Sequence, residues 1–197
     1  MSSVALIILS PVFLIIAIFI KLDSEGPVIF KQQRYGIHKS IFTIYKFRTM
    51  YIDTPDDIPT HKFNNAGSYI TRVGSFLRKS SLDELPQLLN ILKGDMAIVG
   101  PRPIILNHKS LILKRDRYGA NDVKPGLTGW AQINGRDLLT ADQTAKFDGE
   151  YKQRMSFLFD CRCFFCSIYV VLKRKGVKDC QYQKATLKKV QAISKEM

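Results

Sequence analysis

Acidic residues are scarce in this chain. Seventeen Asp and Glu stand against thirty Lys and Arg in 197 residues, a net charge of +13. That deficit points to an anionic partner: nucleic acid, anionic lipid or a phosphorylated small molecule. Cysteine is nearly absent too. Cys161, Cys163, Cys166 and Cys180 are the whole complement, and three of them fall within six residues. That spacing excludes a secreted disulfide framework. A metal site on Cys161, Cys163 and Cys166 has no second ligand cluster, because His38, His61 and His108 are scattered. Thiols kept buried or facing a membrane in a reducing cytoplasm are the reading that remains. Neither a P-loop nor a G-x-G-x-x-G run occurs, so no mononucleotide or dinucleotide motif is present. There is no internal repeat, and the length suits one compact domain with a small appendage.

Only one long hydrophobic run is present. Val4 to Ile20 carries Ser10 as its single polar side chain. No Lys or Arg precedes it and no small-residue cleavage site follows, which excludes a secretory signal. A straight helix over these residues is about 25 Å long, at the short limit for a bilayer. Pro11 removes one backbone hydrogen bond and predicts a kink, and the Ser10 hydroxyl is a nearby donor for the freed carbonyl. A re-entrant hairpin and a true span both fit, and both leave the basic remainder in the cytoplasm.

The remainder reads as α+β and mostly helical. Residues 27–34 and 41–48 form a short β-hairpin. Residues 53–67 are a loop. Helices are expected over 69–79, 83–92, 104–117, 140–154 and 156–175, with a buried strand at 96–99 and a largely irregular stretch at 119–137. In the last helix Phe157, Leu158, Phe164, Phe165, Ile168, Tyr169 and Leu172 share an apolar face interrupted by Arg162. That face suits a membrane surface or an ordinary core equally well. Three segments follow: a membrane-associated helix at 1–22, a cytoplasmic domain at 23–177 and a polar tail at 178–197.

Ser80-Ser-Leu-Asp-Glu-Leu-Pro-Gln-Leu88 is the richest stretch. Pro86 is tolerated only in a first helical turn, which puts Asp83 at a helix start, where its anionic form is favoured. With Arg78 and Lys79 just before it, an ionised Asp83 is a reasonable nucleophile or Mg²⁺ ligand. Taken alone, though, Ser81-x-x-Glu84 reads first as a capping box. Arg102, locked between Pro101 and Pro103, suits a bidentate grip on phosphate or a plain structural turn. Lys46 and Arg48 alternate about Phe47 and are expected on one strand face. The Gly-rich stretch 123–136, with the only Trp and Arg136, offers backbone amides to a phosphate.

These pieces together resemble the bacterial sugar transferases, small monotopic phosphoglycosyl transferases. The resemblance rests on Ser10-Pro11 in its apolar run, Lys46-Phe-Arg-Thr-Met50, Arg78-Lys-Ser-Ser-Leu-Asp-Glu-Leu-Pro-Gln-Leu88, Lys93-Gly-Asp95, Val99-Gly-Pro-Arg-Pro103 and Lys124-Pro-Gly-Leu-Thr-Gly-Trp-Ala-Gln-Ile-Asn-Gly-Arg136. They occur in family order across residues 4 to 175. One departure stands at the start: Met1-Ser2-Ser3 replaces the family's Lys-Arg-x-x-Asp-like stretch, which implies a shortened N-terminus.

The resemblance implies that Asp83 attacks the sugar-bearing phosphate of a UDP-sugar. UMP leaves, and undecaprenyl (polyprenyl) phosphate then takes the phosphosugar, the first membrane step of capsule, exopolysaccharide or glycoprotein glycan synthesis. It implies Mg²⁺ held at Asp83 and Glu84. It implies phosphate or substrate contacts from Lys46, Arg48, Arg78, Arg102, Arg136 and Asp148. It also implies membrane lipids and downstream glycosyltransferases as partners, no nucleic acid, and an inner-membrane location facing the cytoplasm. The competing readings are a membrane glycosyltransferase releasing UDP, and a basic nucleic-acid-binding or membrane scaffold protein without catalysis.

Overall fold

The computed structural model describes residues 2–54 and 69–173. The loop expected at 53–67 falls almost wholly outside these residues, and so does the tail expected at 178–197. Helix α1 runs from Ser2 to Asp23. Strands β1 (Ile29–Tyr35) and β2 (Ile41–Phe47) follow, then α2 (Arg72–Ser80), a 3₁₀ turn (Leu82–Gln87) and α3 (Leu88–Lys93). Strands β3 (Ala97–Val99) and β4 (Ile104–Ile105) lead to α4 (Lys109–Asp116). Strand β5 (Gly126–Thr128), α5 (Trp130–Ile133), α6 (Ala141–Arg154) and α7 (Phe157–Leu172) complete the order.

Helices dominate, as the sequence predicts, around a three-stranded antiparallel sheet of order β2-β1-β4 and a parallel pair β3-β5. The hairpin pairs Ile29 with Phe47 through Tyr35 with Ile41. Two expectations are corrected. The helix predicted from Ile104 begins only at Lys109, because Ile104 and Ile105 extend the sheet opposite Tyr35 and Arg34. The irregular stretch at 119–137 contains β5 and α5. Its glycines serve close backbone approach: a Cβ on Gly126 would lie 2.1 Å from the Gly100 nitrogen, and one on Gly129 2.0 Å from the Gly100 oxygen. The Gly126 amide donates to Pro101, so it is not free to cradle phosphate.

Pro11 lies inside α1 and cannot bond the Ile7 carbonyl. The Ser10 hydroxyl donates to that carbonyl at 2.8 Å, as expected from the Ser-Pro pair. The stretch Leu6–Asp23 is long and apolar enough to cross a membrane. Its inner side, Ile16 and Ile20, packs with Phe47 and Leu77, while Ile7, Ile8, Leu14, Ile18, Phe19 and Leu22 stay exposed.

The end of α1 is moored to both elements that follow. The Asp23 carboxylate accepts from the Val73 amide at 2.9 Å, in the first turn of α2. The Arg48 guanidinium donates to the carbonyls of Ser24 and Glu25. Arg48 is buried, so losing charged hydrogen bonds there costs about 1.5–3 kcal/mol. Arg48→Met is expected to lower the thermal midpoint by about 4–8 °C in a scanning melt. An unchanged midpoint would show that the mooring contributes nothing.

Candidate functional site

The stretch carrying Asp83 and Glu84 is not capped as its sequence predicts. Ser81 ends α2 in the left-handed region, at φ 57°, and its side chain caps nothing. The capping box expected from Ser81 and Glu84 is absent; among the described residues Thr140 and Gln143 form one, at the start of α6. Glu84 is engaged elsewhere. Its Oε1 accepts from Lys46 Nζ at 2.7 Å and from Arg102 Nη2 at 2.6 Å. A local cap is weaker than two charge-assisted bonds in a partly buried site, and the long-range partners win.

Three distant elements therefore meet at one carboxylate. Strand β2 supplies Lys46, the 3₁₀ turn supplies Glu84, and the Pro101-Arg102-Pro103 segment after β3 supplies Arg102. Glu84 is only 12% exposed and Lys46 17%, whereas Arg102 is 43% exposed. Arg102 thus reaches from the buried pair toward solvent.

The two carboxyls of the dyad sit in opposite electrostatic situations. Burial lifts the Asp83 carboxyl to about 6; Lys46 opposes the rise, the Glu84 charge adds to it, and Arg78 and Arg102 oppose it. Burial also works to raise Glu84, but Arg102 and Lys46 outweigh it and hold Glu84 far below the usual carboxylate range. Burial lowers Lys46, and Glu84 counteracts this. A permanently charged anchor therefore sits beside a carboxyl that titrates near neutrality, the split found where two acids hold different tasks.

Of the predicted site residues, the structure brings Asp83, Glu84, Lys46, Arg78 and Arg102 into mutual electrostatic range. It turns Arg48 away, to the end of α1, because β2 stops at Phe47 and the expected face-sharing with Lys46 ends there. Arg136 opens a short turn at φ 50°. Asp148 is fully buried in α6 against Arg115, with Arg115 Nε 2.7 Å from its Oδ2.

The sequence reading missed Arg34 and Arg115. Arg34 lies in β1 and its pKa falls to about 10, first through burial, then through the nearby Arg102 charge. Only the register, which sets Arg34 opposite Ile105, reveals its proximity to the Arg102 segment. Arg115 was an unremarked position in a predicted helix, and the bare helical pattern holds no signal for its pairing.

Among the described residues no group of three or more His, Cys, Asp or Glu is placed to hold a metal, so the Cys161, Cys163 and Cys166 cluster gains no metal reading. Cys163 is buried with Phe159, Tyr151 and Val99. The apolar face predicted for α7 is not the one that packs: Phe157, Leu158, Phe165 and Tyr169 are exposed.

Asp83 and Glu84 thus form a buried acid pair among Lys46, Arg78 and Arg102. The family model described as "Bacterial sugar transferase" matches residues 1–174. The chain belongs to the bacterial sugar transferase family. It is 40% identical over 176 residues to the UDP-glucose:undecaprenyl-phosphate glucose-1-phosphate transferase of Escherichia coli (strain K12), covering 86% of this chain and 38% of that protein. It is 39% identical over 182 residues to the protein of the same name from Xanthomonas campestris pv. campestris, covering 89% of this chain and 38% of that one. It is 37% identical over 181 residues to the exopolysaccharide production protein PSS of Rhizobium leguminosarum bv. phaseoli, covering 86% and 90%. The chain thus spans about two fifths of the first two relatives and nearly all of the third.

Proposed function

We propose that this chain is a phosphoglycosyl transferase that moves a sugar-1-phosphate from a UDP-sugar to undecaprenyl phosphate. The observation that carries the reading is the dyad: a buried Asp83 carboxyl beside a Glu84 carboxylate fixed between Lys46 and Arg102. The names of the relatives supply the donor and acceptor classes, and UDP-glucose is the first donor to test.

In this mechanism an Asp83 oxygen attacks the sugar-bearing phosphorus. The bond from that phosphorus to the bridging oxygen breaks, and UMP leaves with the electron pair. A phosphosugar ester on Asp83 results. A polyprenyl phosphate oxygen then attacks the same phosphorus, and the Asp83 carboxylate leaves intact. Arg102, Lys46 and Arg78 neutralise charge on the phosphates, which is most of what phosphoryl transfer requires. Glu84 holds Lys46 and Arg102 in place.

Mg²⁺ takes one or two carboxylates with the rest of its shell from phosphates and water. Asp83 fits that role; Glu84 fits it poorly, since its Oε1 already accepts from both Lys46 and Arg102. The ion, when bound, would supply further charge neutralisation on the donor phosphates.

Helix α1 and the exposed apolar residues Phe76, Leu89, Leu92, Phe157, Leu158 and Phe165 would seat the chain on the inner membrane, facing the cytoplasm. Pro11, whose freed Ile7 carbonyl accepts from the Ser10 hydroxyl, suits a re-entrant path for α1. Capsule or exopolysaccharide assembly would follow downstream.

Incubation with UDP-sugar and no lipid acceptor is expected to release one UMP per enzyme in a burst. Intact-mass spectrometry should then show a phosphosugar adduct that is absent from Asp83→Asn. UDP in place of UMP, or no adduct on a chain that turns over, would overturn the covalent route.

A further inference from the structure

Arg102 stands on a segment poor in its own hydrogen-bond donors, because Pro101 and Pro103 have no N–H. Each carbonyl of the tripeptide is nevertheless captured from outside. Pro101 O accepts from the Gly126 amide at 2.9 Å. Arg102 O accepts from Arg115 Nη2 at 3.0 Å. Pro103 O accepts from Arg34 Nη1 at 3.3 Å. Arg115 is itself fixed. Its Nε and Nη2 lie 2.7 and 2.6 Å from Asp148 Oδ2, and both side chains are almost wholly buried, at 5% and 1% exposure. A buried guanidinium held to a carboxylate through Nε and Nη2, with Nη2 also donating to a carbonyl, works as a rigid strut.

We infer that Asp148 and Arg115 form a positioning relay for Arg102, acting on its backbone from behind the site, and that Asp148 does not touch substrate. This rests on the phosphoglycosyl transferase reading. Asp148 lies in α6 and Arg115 in α4, so the relay ties the packing of two helices to the aim of Arg102, which reaches toward solvent. The purpose of so much fixation is geometric: a phosphate-gripping fork displaced by about 1 Å loses about 100-fold in rate.

The test must separate aim from folding. Removing one member leaves a buried unpaired charge and threatens the fold, whereas replacing both with apolar groups of similar size is often neutral or stabilising. The variant is therefore Arg115→Met with Asp148→Leu. Its thermal midpoint is expected near wild type, its kcat for UMP release about 100-fold lower, and its KM for the UDP-sugar within about twofold. Adding Arg102→Ala to it should cost little more, because Arg102 is already misaimed. Hydrogen exchange in the peptide spanning residues 100–105 should quicken, with the remainder of the chain unchanged.

A folded double variant with wild-type kcat, a fully additive Arg102→Ala effect, or unaltered exchange at 100–105 would each overturn the relay. So would Asp148→Asn raising KM alone while Arg115→Lys behaves normally, which would make Asp148 a direct ligand. Wild-type protein that releases no UMP from any UDP-sugar would instead defeat the functional reading; the exchange measurement would still judge the relay.

Discussion

Asp83→Asn is expected to abolish turnover and to make the protein more stable at neutral pH. Loss of a covalent nucleophile costs at least about 1,000-fold, so UMP release should fall to background. Stability moves the other way because burial raises the Asp83 carboxyl from the ordinary 3.8 to about 6. The folded chain then binds this proton more tightly than the unfolded chain, and stability falls as pH rises from about 4 to about 6. Above pH 6 the wild type carries the full cost of a buried charge, about 3 kcal/mol. The neutral amide avoids it. Melts at pH 7.5 should show Asp83→Asn higher by about 6–12 °C, with the difference gone below about pH 4. The same titration should appear in wild-type kcat/KM as an acidic limb that levels off above about pH 6. A flat profile, or a variant less stable at neutral pH, would remove Asp83 from the nucleophile's role.

Glu84→Gln is the second large effect, and here stability and activity fall together. Glu84 neutralises Lys46, which is half-buried at the base of the site, and orients Arg102. Removing one partner from a buried ion pair costs about 3–5 kcal/mol, because the other charge is left uncompensated. The folded pKa of Glu84 is depressed, so its contribution is complete above about 4.5 and declines only as pH drops toward the folded value. The stability gap between variant and wild type should therefore be full at pH 7 and shrink only in acid. UMP release should drop about 100-fold or more, since Lys46 and Arg102 lose their shared anchor. The residual activity carries a signature. The Glu84 charge helps to raise Asp83, so its removal should move the acidic limb of kcat/KM below pH 6. An unmoved limb, or a variant as stable as wild type, would mean that the ion-pair hub does not exist in solution.

The legible parts of this protein were those governed by short-range rules. Alternation along residues 27–48 predicted the hairpin, and its antiparallel register follows. The Ser10-Pro11 pair predicted a hydroxyl-to-carbonyl bond that depends on residues within one turn. What failed to show lay in competition between short and long range. Ser81-x-x-Glu84 has the local form of a capping box, yet Glu84 turns to Lys46 and Arg102, 38 and 18 residues away. Ile104 and Ile105 fit a helix by pattern but were claimed by the edge of β1. Arg48 alternates with Lys46 on paper, and the open carbonyls at the end of α1 drew it away.

The sequence alone settled that the chain is basic, that it carries one long apolar run with Pro11 inside it, and which motifs stand in family order. These follow from composition and from spacing within a turn or a strand. Tertiary structure alone decided which charges meet. Ion pairing in a partly buried site depends on which donors are brought within about 3 Å and on how much water is excluded, and neither is written in any local run of residues. That is why Asp83 and Glu84, adjacent in the chain and alike in chemistry, end with opposite pKa shifts, and why Asp148 is found behind Arg102.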